Sequence, residues 1–312
     1  MLLLALGLAA LTGFAQSPAL LADPSRRTET LPTVQSEVSR LPAQVEQPSA
    51  GTSSFEIVKG SEDSDLGEQR ILRETPKPRP FRFTLDTMMY HSSNAAHLSA
   101  GELEDWYFGS RLALGWQKPL GKRFVFDLSA SQDLFRYDEL DLLDFESLEA
   151  TASLLYALPW SRDFFLVGQY QFGRLTQEFE DLALSHSLRF GIQKAFAINR
   201  RSTINLAVIG DWDIDTDVDA LKRHQYIGAA TWTFKLIPKV NLLLGYNYIF
   251  YDYVEYERDD HLHNIGLSLV WSPSSWVEVY ASYNHSFNRS NIDAFDYEDG
   301  TAGLGLGVRL RF

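Results

Sequence analysis

The sequence alternates apolar with small or polar residues over roughly its last three quarters, in stretches of about ten positions. A period of two is typical of a β-strand, because successive side chains point to opposite faces. Near the end of the chain, for example, Leu304 and Leu306 flank Gly305. Twelve such stretches lie near 81–92, 104–117, 123–137, 146–158, 163–177, 183–197, 202–214, 224–237, 240–253, 261–272, 276–288 and 301–312. The pattern therefore predicts an all-β domain of about twelve strands over residues 81–312.

Prolines mark the connections between these strands. Four prolines fall in this region, each in a tight connection that follows every second strand: Pro119, Pro159, Pro238 and Pro273. The sequence INRRS around Asn199 holds the missing place in the series. Short turns therefore alternate with longer connections, which is the arrangement of an antiparallel up-and-down meander.

Charged residues divide according to the type of connection. Basic residues lie in or beside the short turns: Lys118, Lys122, Arg123, Arg162, Arg200, Arg201 and Lys239. Acidic residues crowd the longer connections: Asp138, Glu139, Asp141, Asp144, Glu178, Glu180, Asp181, Asp213, Asp215, Asp217, Asp219, Glu255, Glu257, Asp259, Asp260, Asp293, Asp296, Glu298 and Asp299. An acidic rim should favour cations and repel anions at the mouth of a channel.

The two faces of the strands distinguish a soluble barrel from a membrane barrel. A small soluble barrel turns its apolar face inward and meets water with Lys and Glu. Here the polar face carries Gly, Ser, Thr, Asn and Gln, and the apolar face ends in aromatics: Trp106, Trp116, Tyr156, Trp160, Trp212, Trp232 and Trp271. Aromatic girdles and a small, polar inner face are typical of barrels that cross a bilayer. The sequence therefore predicts a closed transmembrane β-barrel, with a secreted soluble β-protein as the alternative.

The first fifteen residues form a separate unit. Residues 2–15 are an uninterrupted apolar run that ends with the small residues Gly13 and Ala15. A run of this length near the start is typical of a secretory signal peptide. We therefore assign 1–15 to a signal peptide, the alternative being a buried amphipathic helix.

Residues 16–80 are predicted to be a disordered arm. They hold eight of the twelve prolines, are rich in Ser, Glu and Gln, and show no sustained period. Such a composition cannot bury enough apolar surface to offset the entropy of ordering. Within the arm, the short patch FEIV at 55–58 could add a strand to the sheet edge of a partner.

Composition excludes several classes of function. The 312 residues include no cysteine, which removes disulfides, thiol catalysis and cysteine-based metal sites. A net charge of -13 argues against nucleic acid, whose phosphates are held by Lys and Arg. The alternating glycines Gly303, Gly305 and Gly307 belong to a strand and not to a nucleotide-binding loop.

Taken together, these features resemble those of bacterial outer-membrane β-barrel proteins of the porin type. The likeness rests on the signal peptide, the even strand count, the alternating connections and a last strand, GLGLGVRLRF, that closes on Phe312. The resemblance implies that Phe312 is presented to the barrel assembly machinery. It also implies short turns and the arm 16–80 in the periplasm, where the arm could meet a partner, and acidic loops outside. Outer-membrane lipid and lipopolysaccharide would surround the barrel, with a divalent cation possible at the loops.

A porin-like channel or a structural envelope protein is the first functional hypothesis. Twelve strands enclose a narrower lumen than the 16 strands of large porins. By parity the inward side chains include Arg111, Asp127, Glu149, Gln169, Arg189, Asp211, Lys235, Glu278, Arg309 and Arg311. Opposite charges in so small a lumen could line a water path or pair to close it, and no cofactor is implied.

A lipid hydrolase is the alternative hypothesis. The order His91-Ser92-Ser93-Asn94 is similar to the active-site strand of outer-membrane phospholipase A and of the lipid A deacylases. The resemblance implies that His91 and Ser93 project from the lipid side, with a third group on the next strand. Asp105 has the expected spacing but points inward by parity, whereas Glu104 points outward. A run of Ser and Asn at the start of a loop also needs no catalytic explanation.

A pair of histidines is a further candidate site. His261 and His263 share one strand face beside Asp259 and Asp260 and could bind a metal. Because no third imidazole follows at a fixed spacing, a solvated loop edge is the preferred interpretation and no metal site is assigned.

Overall fold

The structure is a computed structural model that describes residues 53–59, 70–76, 79–121, 123–160, 164–177 and 180–312. The predicted signal peptide at 1–15 lies outside the described residues. Within the described part of the chain, no helix is long and apolar enough to span a membrane.

Twelve antiparallel strands form a closed up-and-down barrel, as the sequence predicts. Each strand pairs with its neighbours in the chain, and the last strand pairs with the first to complete the ring. The strands are β3 (Phe81–Ser92), β4 (Asp105–Leu120), β5 (Phe124–Tyr137), β6 (Phe145–Ala157), β7 (Phe164–Gln177), β8 (Glu180–Asn199), β9 (Ser202–Thr216), β10 (Arg223–Ile237), β11 (Val240–Tyr253), β12 (Arg258–Trp271), β13 (Val277–Ser290) and β14 (Tyr297–Arg311). The predicted fold class is confirmed.

Two further strands precede the barrel, within the segment 16–80 that composition predicts to be disordered. Strand β1 (Ser53–Lys59) pairs antiparallel with β2 (Arg70–Pro76) to form a separate two-stranded sheet. The patch 55–58 lies in β1, and its aromatic and β-branched residues Phe55, Ile57 and Val58 suit a strand. This local pattern is short enough to be hidden by the average composition of the arm.

Strand parity places apolar side chains outside the barrel and polar ones inside. On β3, for example, Asp86 and Tyr90 are buried on the inner face, whereas Phe81 and Met89 are exposed on the outer face. The same alternation continues through β14, where exposed Leu304 and Leu306 face outward. A closed ring of strands satisfies every interior backbone group, and an apolar outer wall suits lipid. The architecture is therefore that of a transmembrane barrel.

The connections define two different ends. At one end, called the turn end, strands are joined by short turns such as Pro238–Lys239, where Lys239 has φ 73°. Proline followed by a residue with positive φ is the sequence of a type II turn. The opposite end is called the loop end. There the β7–β8 connection, predicted to be long, contains only the two residues between Gln177 and Glu180, because β8 begins at Glu180 and not near residue 183 as predicted.

Short 3₁₀ helices occupy three of the loop-end connections: Asp141–Leu143, Asp219–Leu221 and Asp293–Phe295. Each follows an aliphatic residue, begins with Asp and ends with Leu or Phe. Leu143 is buried, and Leu221 packs against the same apolar cluster of inward side chains. These loops therefore fold over the mouth of the barrel and do not extend away from it.

Candidate functional site

A polar cavity of about 370 Å³ lies inside the barrel. The structure places on its wall the predicted residues Arg111, Asp127, Glu149, Gln169, Arg189, Asp211, Arg309 and Arg311. Between the charges the wall carries hydroxyl and amide side chains: Ser129, Ser131, Ser147, Thr151, Ser153, Gln171, Ser185, Ser187 and Gln225. Glu278 bonds to Arg309, and Lys235 is exposed near the turn end of β10. The side chains of the wall can therefore form hydrogen bonds to a polar solute from several sides.

Arg82, which parity analysis of the sequence did not select, pairs with Asp127 near the turn end. Its two terminal nitrogens donate to the Asp127 oxygens at 2.5 and 2.7 Å, in the bidentate geometry of a strong ion pair. The Arg82 side chain lies across Gly115, where a Cβ atom would clash with the guanidinium. The signal that could have revealed Arg82 is its inward parity with Asp86 on β3.

A second pairing joins the first and last strands of the barrel. Arg309 Nε donates to Glu278 at 2.7 Å, and its terminal nitrogen Nη2 donates to Asp86 at 3.1 Å. Gly307 leaves the space that Asp86 occupies, since a Cβ there would meet Asp86 Oδ1 at 2.6 Å. The pairing therefore connects β13, β14 and β3 across the position where the barrel closes.

The middle of the lumen carries two more arginines. Arg111 lies 3.4 Å from Asp133 and 3.7 Å from Glu149, and it donates to Ser131 at 3.1 Å. On the opposite arc, Arg189 Nε donates to Asp211 at 2.5 Å. Charge pairing thus holds each arginine beside an acidic side chain of the wall, next to the cavity.

An aromatic layer closes the lumen toward the loop end. It consists of inward side chains near the loop ends of β3–β6, β11 and β14: Tyr90, Tyr107, Phe135, Tyr137, Phe145, Tyr251, Tyr253 and Tyr297. Phe135 stacks on Phe145 with ring centroids 4.5 Å apart, and Tyr107 contacts Tyr137 at 5.3 Å. All of these side chains are buried. These inward rings therefore form a packed part of the inner wall.

The β3–β4 loop is tied down beside the aromatic layer. The ring of His97 stacks on Tyr297 at 4.1 Å, and its Nε2 lies 3.6 Å from Asp299 Oδ2. Asn94 donates from its side chain to the carbonyls of Leu98 and Glu298 at 2.8 and 3.0 Å. The β3–β4 loop is therefore held at the loop end of the barrel, beside the aromatic layer.

Two charged groups in the other loop-end connections show how those loops are held. Asp144 accepts a hydrogen bond from the Tyr137 backbone at 2.8 Å, and burial raises the pKa of its carboxyl. Lys222 donates to Glu255 at 3.1 Å, and this hydrogen bond raises the pKa of the ammonium. Both contacts join neighbouring parts of the loop end.

The candidate hydrolase residues do not form a catalytic arrangement. His91 points outward, packs edge-on against Trp106 at 5.1 Å, and has Nε2 3.7 Å from Glu104 Oε2. Ser93 Oγ instead accepts from the Gly300 backbone at 2.8 Å, and no hydrogen bond between His91 and Ser93 occurs among the described residues.

Asp105 has a structural role on the inside of the barrel. It is buried and accepts hydrogen bonds from the backbone of Trp106, Glu139 and Leu140. It therefore holds the start of β4 to the β5–β6 connection, and it does not orient His91.

The histidine pair on β12 faces outward and is engaged by tyrosines. His261 Nδ1 lies 2.7 Å from the Tyr248 hydroxyl, and His263 Nδ1 lies 2.8 Å from the Tyr246 hydroxyl. Within the described residues, no group of three or more His, Asp or Glu side chains could hold a metal ion.

Phe312 lies at the turn end, where it packs on Phe81 with ring centroids 5.8 Å apart. Two backbone hydrogen bonds of 3.1 Å join the same two residues. Phe312 is nevertheless largely exposed.

No protein-family model matches the chain, and no curated protein matches it significantly. Among solved structures, an outer membrane channel from Pseudomonas putida F1 is similar over 75% of this chain and 97% of its own, with 9% identity and a TM-score of 0.55. The translocator domain of autotransporter NalP from Neisseria meningitidis covers 75% and 90%, with 12% identity and a TM-score of 0.42. The NanC porin covers 72% and 100%, with 8% identity and a TM-score of 0.45. The first similarity and the closed ring of twelve strands show that this chain has the fold of outer-membrane β-barrel proteins.

Proposed function

We propose that this chain is a channel of the outer membrane that passes small hydrophilic solutes and is closed at its loop end in the conformation that the structure describes. The observation that carries the proposal is the polar cavity of about 370 Å³ inside the barrel. A barrel with a purely structural role could fill its interior with apolar side chains. Here Ser, Thr, Gln and charged side chains line a space that is large enough for several water molecules.

The closure at the loop end sets the expected behaviour of the channel. Hydrophobic constrictions in channels gate by excluding water. The aromatic layer is such a constriction, because its side chains are buried at the level where the β3–β4 loop folds inward. We therefore expect low basal conductance and a larger conductance when the layer is thinned.

The membrane setting of the proposal follows the fold. The short turns would face the periplasm and the acidic loops the exterior, where outer-membrane lipid and lipopolysaccharide would contact the outward aromatics. The exposed ring of Phe312 would be read by the barrel assembly machinery. Residues 1–15 would direct export, and the segment 16–80 would lie in the periplasm.

Conductance of the purified protein in planar bilayers tests the channel. Tyr107→Ala removes an inward ring of the aromatic layer, and Tyr253→Ala thins the same layer from the β11 side. Phe108→Ala is the matched control, because its side chain is exposed on the outer face beside Tyr107. We expect both layer variants to show longer or larger stepwise openings than the parent and the control.

Folding must be verified for each variant by circular dichroism and by the heat-dependent mobility of barrels in gels. Folded layer variants and a folded parent that all remain silent would overturn the channel proposal and favour a structural envelope protein. Equal openings in Phe108→Ala and Tyr107→Ala would show that the aromatic layer is not the gate.

A further inference from the structure

The Arg–Asp pairs of the lumen share one orientation. Arg82 is 23% exposed and its partner Asp127 is 4% exposed. The values are 26% and 5% for Arg189 and Asp211. In each pair the short Asp side chain stays against the barrel wall, and the longer Arg extends in front of it.

The same order holds elsewhere on the inner face. Arg309 is 22% exposed in front of Asp86 at 2%, and Arg258 is 13% exposed in front of Asp260 at 0%. Arg111 follows the order with Asp133, at 9% and 2%. The surface that a solute meets is therefore richer in guanidinium groups than the charge count of the lumen indicates.

We infer that the lumen binds and selects small oxyanions, that is, solutes bearing a carboxylate or a phosphate group. This inference rests on the proposed channel function and names its class of solute. The carriers of the selectivity are Arg82, Arg189 and Arg309, with exposed Arg311 at the turn-end entrance.

The physical reason lies in the direction of the pairs and not in their net charge. The pairs Arg82–Asp127 and Arg189–Asp211 each sum to zero charge but present their positive end to the cavity and their negative end to the wall. In a narrow lumen with low-dielectric walls, such oriented charges act more strongly than they would in water. A guanidinium also offers a planar fork of donors that matches the two oxygens of a carboxylate or phosphate.

Two carboxylates, Glu149 and Glu278, depart from the rule. Glu149 is 27% exposed, more than Arg111, which lies 3.7 Å away. Its Oε1 accepts a hydrogen bond from Gln171 at 2.9 Å. Glu278 is 21% exposed, against 22% for its partner Arg309. These two carboxylates lower the preference for anions without reversing it.

The inference opposes what the acidic rim alone would give. The acidic connections at the loop end favour cations at that mouth. The charged lumen, however, decides selectivity more than a wide rim, because ions pass closer to fixed charges inside it. The two regions therefore make opposite predictions for the reversal potential.

Measurement of the reversal potential across a potassium chloride gradient separates these predictions. The protein is the full chain in planar bilayers, as parent or as Tyr107→Ala where the parent opens too rarely. We expect a reversal potential of the sign for chloride selectivity. Addition of potassium phosphate or potassium acetate should then reduce the chloride current, and the stronger blocker identifies the preferred oxyanion.

Charge-neutral double variants isolate the orientation of the pairs. R82Q with D127N, and R189Q with D211N, each remove one pair without changing the net charge. Both should move the reversal potential toward zero and weaken the block by phosphate or acetate. The matched control is R289Q with E298Q, an exposed outward pair at 2.5 Å, and it should leave both readouts unchanged.

The outcomes distinguish a failure of oxyanion selectivity from a failure of the proposed channel function. A conducting pore that is cation-selective, or that neither double variant alters, overturns the inference and leaves the channel intact. A chloride-selective pore that neither phosphate nor acetate blocks overturns oxyanion binding. Silence of all folded forms overturns the proposed function itself.

Discussion

The aromatic layer at the loop end and the polar lumen below it are built from the same strands with the same parity, yet one is packed and the other holds a cavity. On β5 both Phe135 and Asp127 point inward, about 26 Å apart along the strand. Phe135 packs in a buried cluster, whereas Asp127 lines the cavity with its partner Arg82. The difference shows that the inner face of one barrel can be packed at one level and line a cavity at another. The type of side chain at each level decides which of the two occurs.

Truncation within the aromatic layer should give the largest effect on stability. Phe135→Ala removes a buried ring that stacks on Phe145, and aromatic truncations in packed interiors cost about 3–5 kcal/mol. Leu128→Ala, on the outer face of the same strand, is the control and should cost clearly less. Unfolding in urea, followed by tryptophan fluorescence in detergent micelles, measures both. Equal losses would show that the layer is not a packed interior.

Removal of one member of a lumen pair should have the next largest effect. Asp127→Ala leaves the Arg82 guanidinium without two short hydrogen bonds, and hydrogen bonds to charged groups contribute about 2 kcal/mol. R82Q with D127N should recover most of the loss, because no charge is left unpaired. The same urea titration measures the three proteins, and a double variant as unstable as Asp127→Ala would contradict the pairing argument.

Loss of the hydrogen bonds that join the start of β4 to the β5–β6 connection should have a smaller effect on stability. Asp105→Ala removes the acceptor for the backbone N–H groups of Glu139 and Leu140, at a cost of about 1–2 kcal/mol. Hydrogen exchange at these two amides should accelerate, while amides in the middle of β5 keep their protection. Asp105→Asn retains an oxygen acceptor and should show a smaller change. Uniform acceleration along β5 would mean that the loop end and the lumen do not unfold separately.

The smallest expected effect is the pH dependence of stability that arises from Asp144 at the loop end. Burial raises the pKa of Asp144 above its ordinary value of 3.8, so the folded state binds this proton more tightly than the unfolded state does. Its contribution to stability is therefore full below pH 3.8 and is lost as pH rises through the raised pKa. Asp144→Asn should be more stable than the parent at neutral pH, and the difference should vanish in acid. Urea midpoints against pH measure this, and a constant difference would exclude Asp144 as the cause.

Strand number and parity could be predicted because they are local properties of the sequence. Alternation places Arg111, Asp127 and Arg189 on the inner face without knowledge of any partner. Prolines and basic residues likewise locate the turns. These signals repeat every few residues, so each strand confirms the same interpretation.

The ion pairs of the lumen and the level at which aromatic side chains pack could not be predicted, since both depend on residues far apart in the sequence. Arg82 meets Asp127 and Arg309 meets Asp86 only through the register of strands in a closed ring. The aromatic layer was missed for a related reason. Tyr90 and Tyr107 have inward parity, but the sequence predicts aromatic girdles on the outer face and does not indicate that these two rings pack together inside the barrel.

The hydrolase hypothesis shows the limit of a short motif. His91 and Ser93 have the required spacing and lie on the lipid side, but Ser93 is held by the Gly300 backbone of the neighbouring strand. A motif of three fixed positions reports residue types and not their hydrogen bonds. Asp105 is similar, because its spacing suggests catalysis while its partners are backbone groups.

The closing seam between β14 and β3 also has a consequence for how the molecule is made. The hydrogen bonds between Phe81 and Phe312, and the pair of Arg309 with Asp86, join residues more than 200 positions apart, as the separation of 223 for the latter pair shows. Contacts of such long sequence separation form slowly, because the loop that they close costs entropy before any contact stabilises it. Until the seam forms, two strand edges remain unpaired and are prone to join other chains. The open edges of β3 and β14 are therefore the part of this fold most exposed to wrong pairing before the barrel closes.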